Sequence, residues 1–433
     1  MFSVLSILYI IFAIVSFITF LTMVFSIIIT IKGFYRGKKE YPDADPEKKF
    51  LILVPAHNEE AVISDIINNL NHMDYPKELY DFYILADNCT DNTAAVAKAN
   101  GANVFEFFKE SEKSPTGKPI ALEKAFAVLD DYYKKYDYVM FFDADNWIES
   151  NMLKEINSQM IANPDAVVTQ CYIGSKNKTG PVAAFYHVSF VTANRFIQFA
   201  KYRLGLNAGI GGTGFAVDTK YLNSVGGWKA LSLTEDFEFQ IKTTVAGKRI
   251  LWNNHTRVHD EKPTTISAFF KQQLRWAQGH WYVTKKNFSS IFKAFFKGTI
   301  SFWEFVSTSS YIFALLVPYL LLLLRTPLMI IEILQKYDIM PYFETYGIYA
   351  LYHINLFSII IFVYLVFVLF YLGDYYDNNE KPSFKYFFTV LLSIILGMII
   401  VPIAKILGLF KSGDQHTWVK TEHKINMKSK QQA

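Results

Sequence analysis

The chain has 433 residues, of which 52% are hydrophobic and 17% aromatic, with a formal net charge of only +4. That length allows two or three domains, and the composition is too apolar for an ordinary soluble protein. The small charge excludes the basic footprint of a nucleic-acid binder, and two cysteines, Cys89 and Cys171, exclude a disulfide framework and fit a reducing compartment.

Residues 3 to 31 carry no charge. A bilayer-spanning helix needs about 20 such residues, whereas a signal peptide has a shorter apolar core behind a basic start. Residues 1–32 are therefore predicted to be a transmembrane anchor. Lys32, Arg36, Lys38 and Lys39 follow at once. The positive-inside rule then places the next domain in the cytoplasm. Asp43 to Lys49 is a polar linker.

Strand-like and helix-like runs alternate after the linker. Phe50–Val54, Asp81–Leu85, Asn103–Phe108 and Asp137–Phe142 are predicted strands. Glu60–Leu70, Asp91–Ala99 and Ile120–Lys134 are predicted helices. The alternation argues for a mainly parallel sheet with helices on both faces. Polar clusters follow three of the strands: Pro55 to Glu59, Asp87 to Asp91, and Asp143-Ala144-Asp145. In open α/β sheets, ligands bind beyond the carboxyl ends of the strands. Two carboxylates one residue apart suit a hard divalent cation that keeps positions open for phosphate oxygens. Acidic turn and cap residues are the plainer reading of any one cluster; three clusters converging on one crevice are harder to explain that way.

The alternation breaks down from about residue 181 to 260. Gly209 to Gly214 (GIGGTG) is either a tight turn or a loop whose backbone approaches a ligand closely. Thr234-Glu235-Asp236 opens a helix-like run to Val245, with threonine placed as an N-cap and acids in the first turn. Residues 263–300 interleave aromatics with lysine and arginine and read as amphipathic interfacial helices. Apolar runs at about 302–324, 347–372 and 386–410 are each long enough to span a bilayer. The expected organisation is an anchor over 1–32, a cytoplasmic domain over 45–262, the interfacial belt, a membrane bundle over 301–410 and a basic tail over 411–433.

Taken together the motifs resemble family 2 glycosyltransferases, in particular the membrane-embedded polysaccharide synthases related to cellulose, hyaluronan and poly-N-acetylglucosamine synthases. The resemblance rests on Pro55 to Glu59, the Asp87 cluster, Asp143-Ala144-Asp145, Thr234-Glu235-Asp236, and Gln272-Gln273-Leu274-Arg275-Trp276 in order. Trp418 and Thr421 resemble the segment that often closes such chains. One departure stands out. The second motif of the family begins with two aspartates, and here Ala86 takes the first place; Asp91 also matches.

The resemblance implies a GT-A type fold and an inverting, UDP-sugar-dependent hexosyltransferase. It implies that Asp145 ligates Mg2+ or Mn2+, that Asp143 contacts the donor ribose and supports the metal, and that Glu59 and Asp87 hold the uridine. Lys118, Gln272 and Arg275 would bind the donor diphosphate. Trp276, Gly212 and Thr213 would meet the acceptor, and Asp236, with Glu235 beside it, would be the catalytic base. Taken without the family, Lys118 is a solvated loop lysine and the Arg275-Trp276 pair a membrane-interface anchor. The implied partners are the UDP-sugar, a polysaccharide or lipid acceptor and membrane lipids, with room for an accessory membrane subunit. The implied setting is a multi-pass plasma-membrane protein. A nonprocessive enzyme that adds one sugar to a lipid shares the Gln-x-x-Arg-Trp motif and is the alternative.

Overall fold

The computed structural model describes residues 4–36, 39–109, 111, 114–310, 348–381 and 383–415. The tail residues Trp418 and Thr421, and the expected span over 302–324 beyond residue 310, lie outside them. The strands are β1 (Phe50–Ala56), β2 (Tyr80–Asp87), β3 (Asn103–Phe107), β4 (Tyr138–Phe141), β5 (Trp147–Ile148), β6 (Ala166–Ser175), β7 (Phe215–Asp218) and β8 (Arg249–Asp260). The helices through the catalytic region are α1 (Val4–Gly33), α2 (Ile63–Asn71), α3 (Thr93–Ala99), α4 (Lys118–Val128), α5 (Tyr132–Lys135), α6 (Met152–Ala162) and α7 (Pro181–Ala193). They continue with α8 (Ala200–Arg203), α9 (Thr219–Ser224), α10 (Glu235–Val245), α11 (Ile266–Phe296), α12 (Ile348–Asn378) and α13 (Phe384–Lys411), and a π-turn over Asn194–Phe199 joins α7 to α8.

One eight-stranded sheet, in the order β3-β2-β1-β4-β7-β6-β8-β5, forms the centre of the domain. Strands β3, β2, β1 and β4 are parallel, as the alternation predicts. The sheet as a whole is mixed, however: β7 runs antiparallel to both β4 and β6, and β5 antiparallel to β8. The reason is local. The glycine loop before β7 sits at the carboxyl end of β4, where Phe141 pairs with Phe215. A chain leaving that end can only run back against β4.

The sheet is apolar on both faces because its central strands are uninterrupted apolar runs. Phe50, Ile52 and Val54 of β1 pack with Ile63, Ile66 and Ile67 of α2 in one core. Leu51 and Leu53 face the other way, against Leu122 and Phe126 of α4. Trp228 closes this second core, with its ring 4.9 Å from Phe141 and 5.1 Å from Phe239. Truncating so large a buried ring typically costs about 3–5 kcal/mol. The expected helix over 120–134 is two helices, broken at Leu129–Asp131, where two aspartates favour a turn over a continuing helix.

The belt expected as several helices is one 31-residue helix, α11, started by the Thr265 hydroxyl accepting from Ala268 N. It lies between the α/β domain and α13. On one side Val283, Ile291 and Ala294 pack with Phe237 and Ile241 of α10. On the other, Trp281 Nε1 donates to Lys405 O of α13 at 2.9 Å. Over Tyr386–Lys411, α13 is the one helix among the described residues that is long and apolar enough to cross a membrane by length and composition. A buried arginine ties α1 and α12 to the domain: Arg195 of the π-turn donates to Gly33 O at 2.7 Å and pairs with Asp377 at 2.9 Å.

Candidate active site

The carboxyl ends of β1, β2 and β4, the glycine loop, the start of α10 and one face of α11 enclose a crevice of about 540 Å³. The twelve residues to which the sequence assigns a site role line it: Glu59, Asp87, Lys118, Asp143, Asp145, Gly212, Thr213, Glu235, Asp236, Gln272, Arg275 and Trp276.

At one end, Asp87 closes β2 and is buried. Its Oδ2 accepts from Gly117 N at 2.8 Å and its Oδ1 from Asn88 Nδ2 at 2.7 Å. Burial pushes its carboxyl above the ordinary value against these hydrogen bonds. His57 Nδ1 lies 2.7 Å from Asp87 O, which draws the β1 end against the β2 end. Asn58 and Asn88 take left-handed backbone conformations at these turns (φ +56° and +52°), which asparagine tolerates better than most residues. Asp91 does not reach the crevice. Its carboxylate accepts from Thr93 N and Glu60 N, so it starts α3 and joins the two loops. Ala86 is buried within β2 and does not line the crevice either.

Lys118 occupies the middle. Gly117 (φ +105°) turns the chain and Pro119 pre-sets the first turn of α4, so the lysine projects inward. Its Nζ lies 2.6 Å from Asp143 Oδ1, 2.5 Å from Gly212 O and 3.8 Å from Glu235 Oε1. Burial alone would lower its pKa, but the Asp143 and Glu235 charges outweigh burial and hold it above the ordinary value.

The acidic turn after β4 is held from beneath. Asp143 N donates to Asn146 Oδ1 (3.0 Å) and to Thr213 Oγ1 (3.2 Å), and the Thr213 hydroxyl itself donates to Asn146 Oδ1. The Thr213 side chain is therefore bonded into the acidic turn. Asp145 accepts from Asn146 Nδ2 (3.1 Å) and Glu261 N (2.9 Å). Asp260, at the end of β8, is also in the crevice. Burial raises its carboxyl, Lys262 opposes that, and the Asp145 and Asp143 charges add to the rise. Two fixed carboxylates with a third negative charge near them fit a hard divalent cation. Among the described residues no three His, Cys, Asp or Glu side chains enclose an ion by themselves.

Glu235 and Asp236 begin α10. The Thr234 side chain makes no capping hydrogen bond; its backbone carbonyl accepts from Glu238 N instead. The Thr234 side chain lies against Gly279 of α11. Burial raises both carboxyls. It takes Glu235 to about 7, Lys118 opposing and the Asp236 charge adding; for Asp236 the Phe237 N–H and Lys118 oppose the rise.

Gln272, Arg275, Trp276 and His280 of α11 all line the crevice; Arg275 and Trp276 stand three and four residues after Gln272, and His280 stands four after Trp276. Arg275 has no carboxylate within 4 Å among the described residues, so its guanidinium is available to an anion. The Trp276 ring stands edge-on to Tyr186, centroids 5.9 Å apart. His280 is neutral, its pKa lowered to about 3 by burial, with a further push from Lys405.

Sequence reasoning missed Asn146, Gln170, Asp260 and His280. Asn146 and Asp260 share a signal that was readable, since each is a polar residue ending a strand or following an acidic turn. Gln170 lies inside the apolar run of β6 and carries no such signal.

A mixed sheet with acidic strand ends and an enclosed lysine at this crevice defines a GT-A-like α/β domain of the nucleotide-sugar class. The chain belongs to glycosyltransferase family 2, whose family model, glycosyltransferase like family 2, matches residues 46–279. It is 27% identical over 251 residues to a probable glycosyltransferase, YdaM, of Bacillus subtilis, covering 57% of this chain and 58% of that one. A beta-monoglucosyldiacylglycerol synthase of Nostoc is 26% identical over 230 residues, covering 53% of this chain and 48% of that one. A poly-beta-1,6-N-acetyl-D-glucosamine synthase of Staphylococcus aureus is 25% identical over 257 residues, covering 59% and 60%. These matches span about half to three-fifths of the length of the relatives. A mannosyltransferase of Pyrobaculum calidifontis, solved in complex with GDP-Man and Mn2+, shares the fold with a TM-score of 0.56 at 14% identity, over 91% of this chain and 98% of that one.

Proposed function

We propose that the protein is an inverting hexosyltransferase. It moves glucose or N-acetylglucosamine from a UDP-sugar onto a growing β-linked polysaccharide at the membrane and helps to export the product. The observation that carries this reading is the position of Lys118, a half-buried cation bridging the Asp143 turn and the Glu235-Asp236 pair. A nucleotide-sugar transfer needs positive charge where the diphosphate leaves and a base where the acceptor attacks, and these two sides meet at Lys118.

The uridine lies against Asp87 and Glu59 at the β1 and β2 ends. The diphosphate lies toward Lys118, Arg275 and Gln272. Negative charge grows on it as the anomeric C–O bond breaks, and fixed cations stabilise that charge. Arg275 supplies a planar fork suited to two phosphate oxygens. Asp145 and Asp143 would hold Mg2+ or Mn2+, which supplies further Lewis-acid neutralisation of the diphosphate when bound. The acceptor hydroxyl is a poor nucleophile, and Asp236 takes its proton as the new C–O bond forms. A buried carboxylate with a raised pKa is a better base for this than a solvated one. Attack opposite the leaving group converts an α-linked donor into a β-linked product. Trp276 offers an aromatic face for the acceptor sugar.

The membrane setting rests on the uncharged stretch at α1 and on α12 and α13, with the catalytic domain on the cytoplasmic side and several spans. α13 packs directly on α11, the helix that carries Trp276, the proposed acceptor-binding residue. That placement serves a polymer leaving through the bundle. It also serves a lipid acceptor, and the beta-monoglucosyldiacylglycerol synthase among the relatives favours this second reading. Reconstituted vesicles given UDP-sugar on the catalytic side decide between them. Long glycan supports the first reading, whereas a monosaccharide-lipid alone replaces it with the second.

A further inference from the structure

Three consecutive backbone N–H groups of the glycine loop are each held by a glutamine from a different element. Gly209 N donates to Gln198 Oε1 of the π-turn (2.7 Å), Ile210 N to Gln240 Oε1 of α10 (3.0 Å) and Gly211 N to Gln170 Oε1 of β6 (2.9 Å). Gln170 does more than the other two. Its Nε2 donates to Thr213 O (2.8 Å), Gly214 O (3.2 Å) and Cys171 O (2.8 Å). It is fully buried and grips the loop on both sides of Gly212.

Gly212 stands where the two halves of the site meet. Its carbonyl accepts from Lys118, and its backbone lies so close to Asp236 that a Cβ there would sit 3.1 Å from Oδ2. Gly212 and Gly214 both hold left-handed backbone conformations (φ +81° and +63°), which a free loop would populate only in part. The stretch between α8 and β7 forms no helix or strand of its own, and side-chain amides hold it together with a few isolated backbone hydrogen bonds.

We infer that Gln170 is a positioning residue for the transfer step: by fixing both sides of Gly212 it sets where the Lys118 ammonium stands relative to the Asp236 carboxylate. It does not line the crevice itself. The inference rests on the hexosyltransferase reading given above. The plainer alternative is that Gln170 only satisfies buried backbone groups and contributes stability.

The test uses the full chain in membranes or detergent. Gln170→Met keeps the volume and removes every hydrogen bond. The expected result is a fall in kcat for hexose transfer of about tenfold or more, since a displacement near 1 Å at a reacting group can cost about a hundredfold. UDP affinity by calorimetry should stay within about threefold, because Asp87 and Gly117 are not held by this loop, and such a split marks a group acting on the transition state. Gln170→Glu retains the acceptor for Gly211 N but sets an oxygen against the Thr213 and Gly214 carbonyls, and should show the same split. A lower melting temperature with unchanged kcat per folded molecule would overturn the inference. If neither variant folds, Gln240→Met, at a half-buried position on α10, gives the same reading: a lower kcat with UDP affinity retained supports the inference, and unchanged kcat overturns it. A wild type that turns over no UDP-hexose would defeat the functional reading together with this inference, whereas a working wild type with unaffected variants defeats the inference alone.

Discussion

Gly279 of α11 and Thr234, two residues before Asp236, are in direct contact: a Cβ on Gly279 would lie 2.5 Å from Thr234 Oγ1. The absence of a side chain lets α11 seat against the start of α10, and so brings Arg275 and Trp276 to the crevice that holds Asp236, the proposed base. Gly279→Val should push the two elements apart. Overpacking of this kind costs about 1–3 kcal/mol. The expected outcome is a lower melting temperature together with a loss of turnover larger than the stability change explains, read by calorimetry and a transfer assay on the same sample.

Asp236→Asn keeps the shape of the side chain and removes its basicity. Turnover should fall by about a hundredfold or more, the scale on which general bases contribute, while UDP binding is retained. Normal turnover in this variant would reduce Asp236 to a helix-start residue.

Lys118→Met leaves Asp143 and Glu235 without their shared cation. Both UDP affinity and kcat should fall, because the same ammonium serves ground-state order and the departing diphosphate. Titration calorimetry with UDP and steady-state rates separate the two losses. Unchanged values for both would return Lys118 to a structural ion pair.

The raised carboxyl of Glu235 has a consequence for stability against pH. Its folded-state value of about 7 lies above the ordinary glutamate value, so the folded protein holds that proton more tightly than the unfolded chain does. The stabilisation is fully present below the unfolded pKa and is lost as pH rises toward and through 7. The ligand-free protein should therefore melt at lower temperature at pH 8 than at pH 5.5 by an increment that Glu235→Gln abolishes. An identical pH slope in the variant would contradict the assignment.

Chelation should silence the enzyme, and magnesium or manganese should restore it. Asp145→Ala should remain folded, bind manganese more weakly by calorimetry and lose transfer. Full activity in excess chelator would remove the metal from the account.

The acidic ends of β2 and β4 were legible in the sequence because each polar cluster interrupts an apolar run at the point where a strand must stop. The face of α11 was legible for a similar reason, since Gln272, Arg275 and Trp276 have helical spacing. The direction of β7 was not. It depends on where the glycine loop sits in three dimensions, and the residues of β7 read the same in either direction. Gln170 was hidden by its setting, one amide among apolar neighbours whose partners lie about forty residues further along the chain. Asp91 misled in the opposite way: it fits the motif, yet its carboxylate is used up by Thr93 N and Glu60 N.

The most direct test is to incubate the purified full chain with UDP-glucose and with UDP-N-acetylglucosamine, supplying membrane lipids and divalent metal, and to determine the anomeric configuration of the product. The account predicts release of UDP and a β-linked hexose in the product from at least one donor, abolished by Asp236→Asn. An α-linked product, or no consumption of either donor by a folded protein that binds UDP, would contradict it.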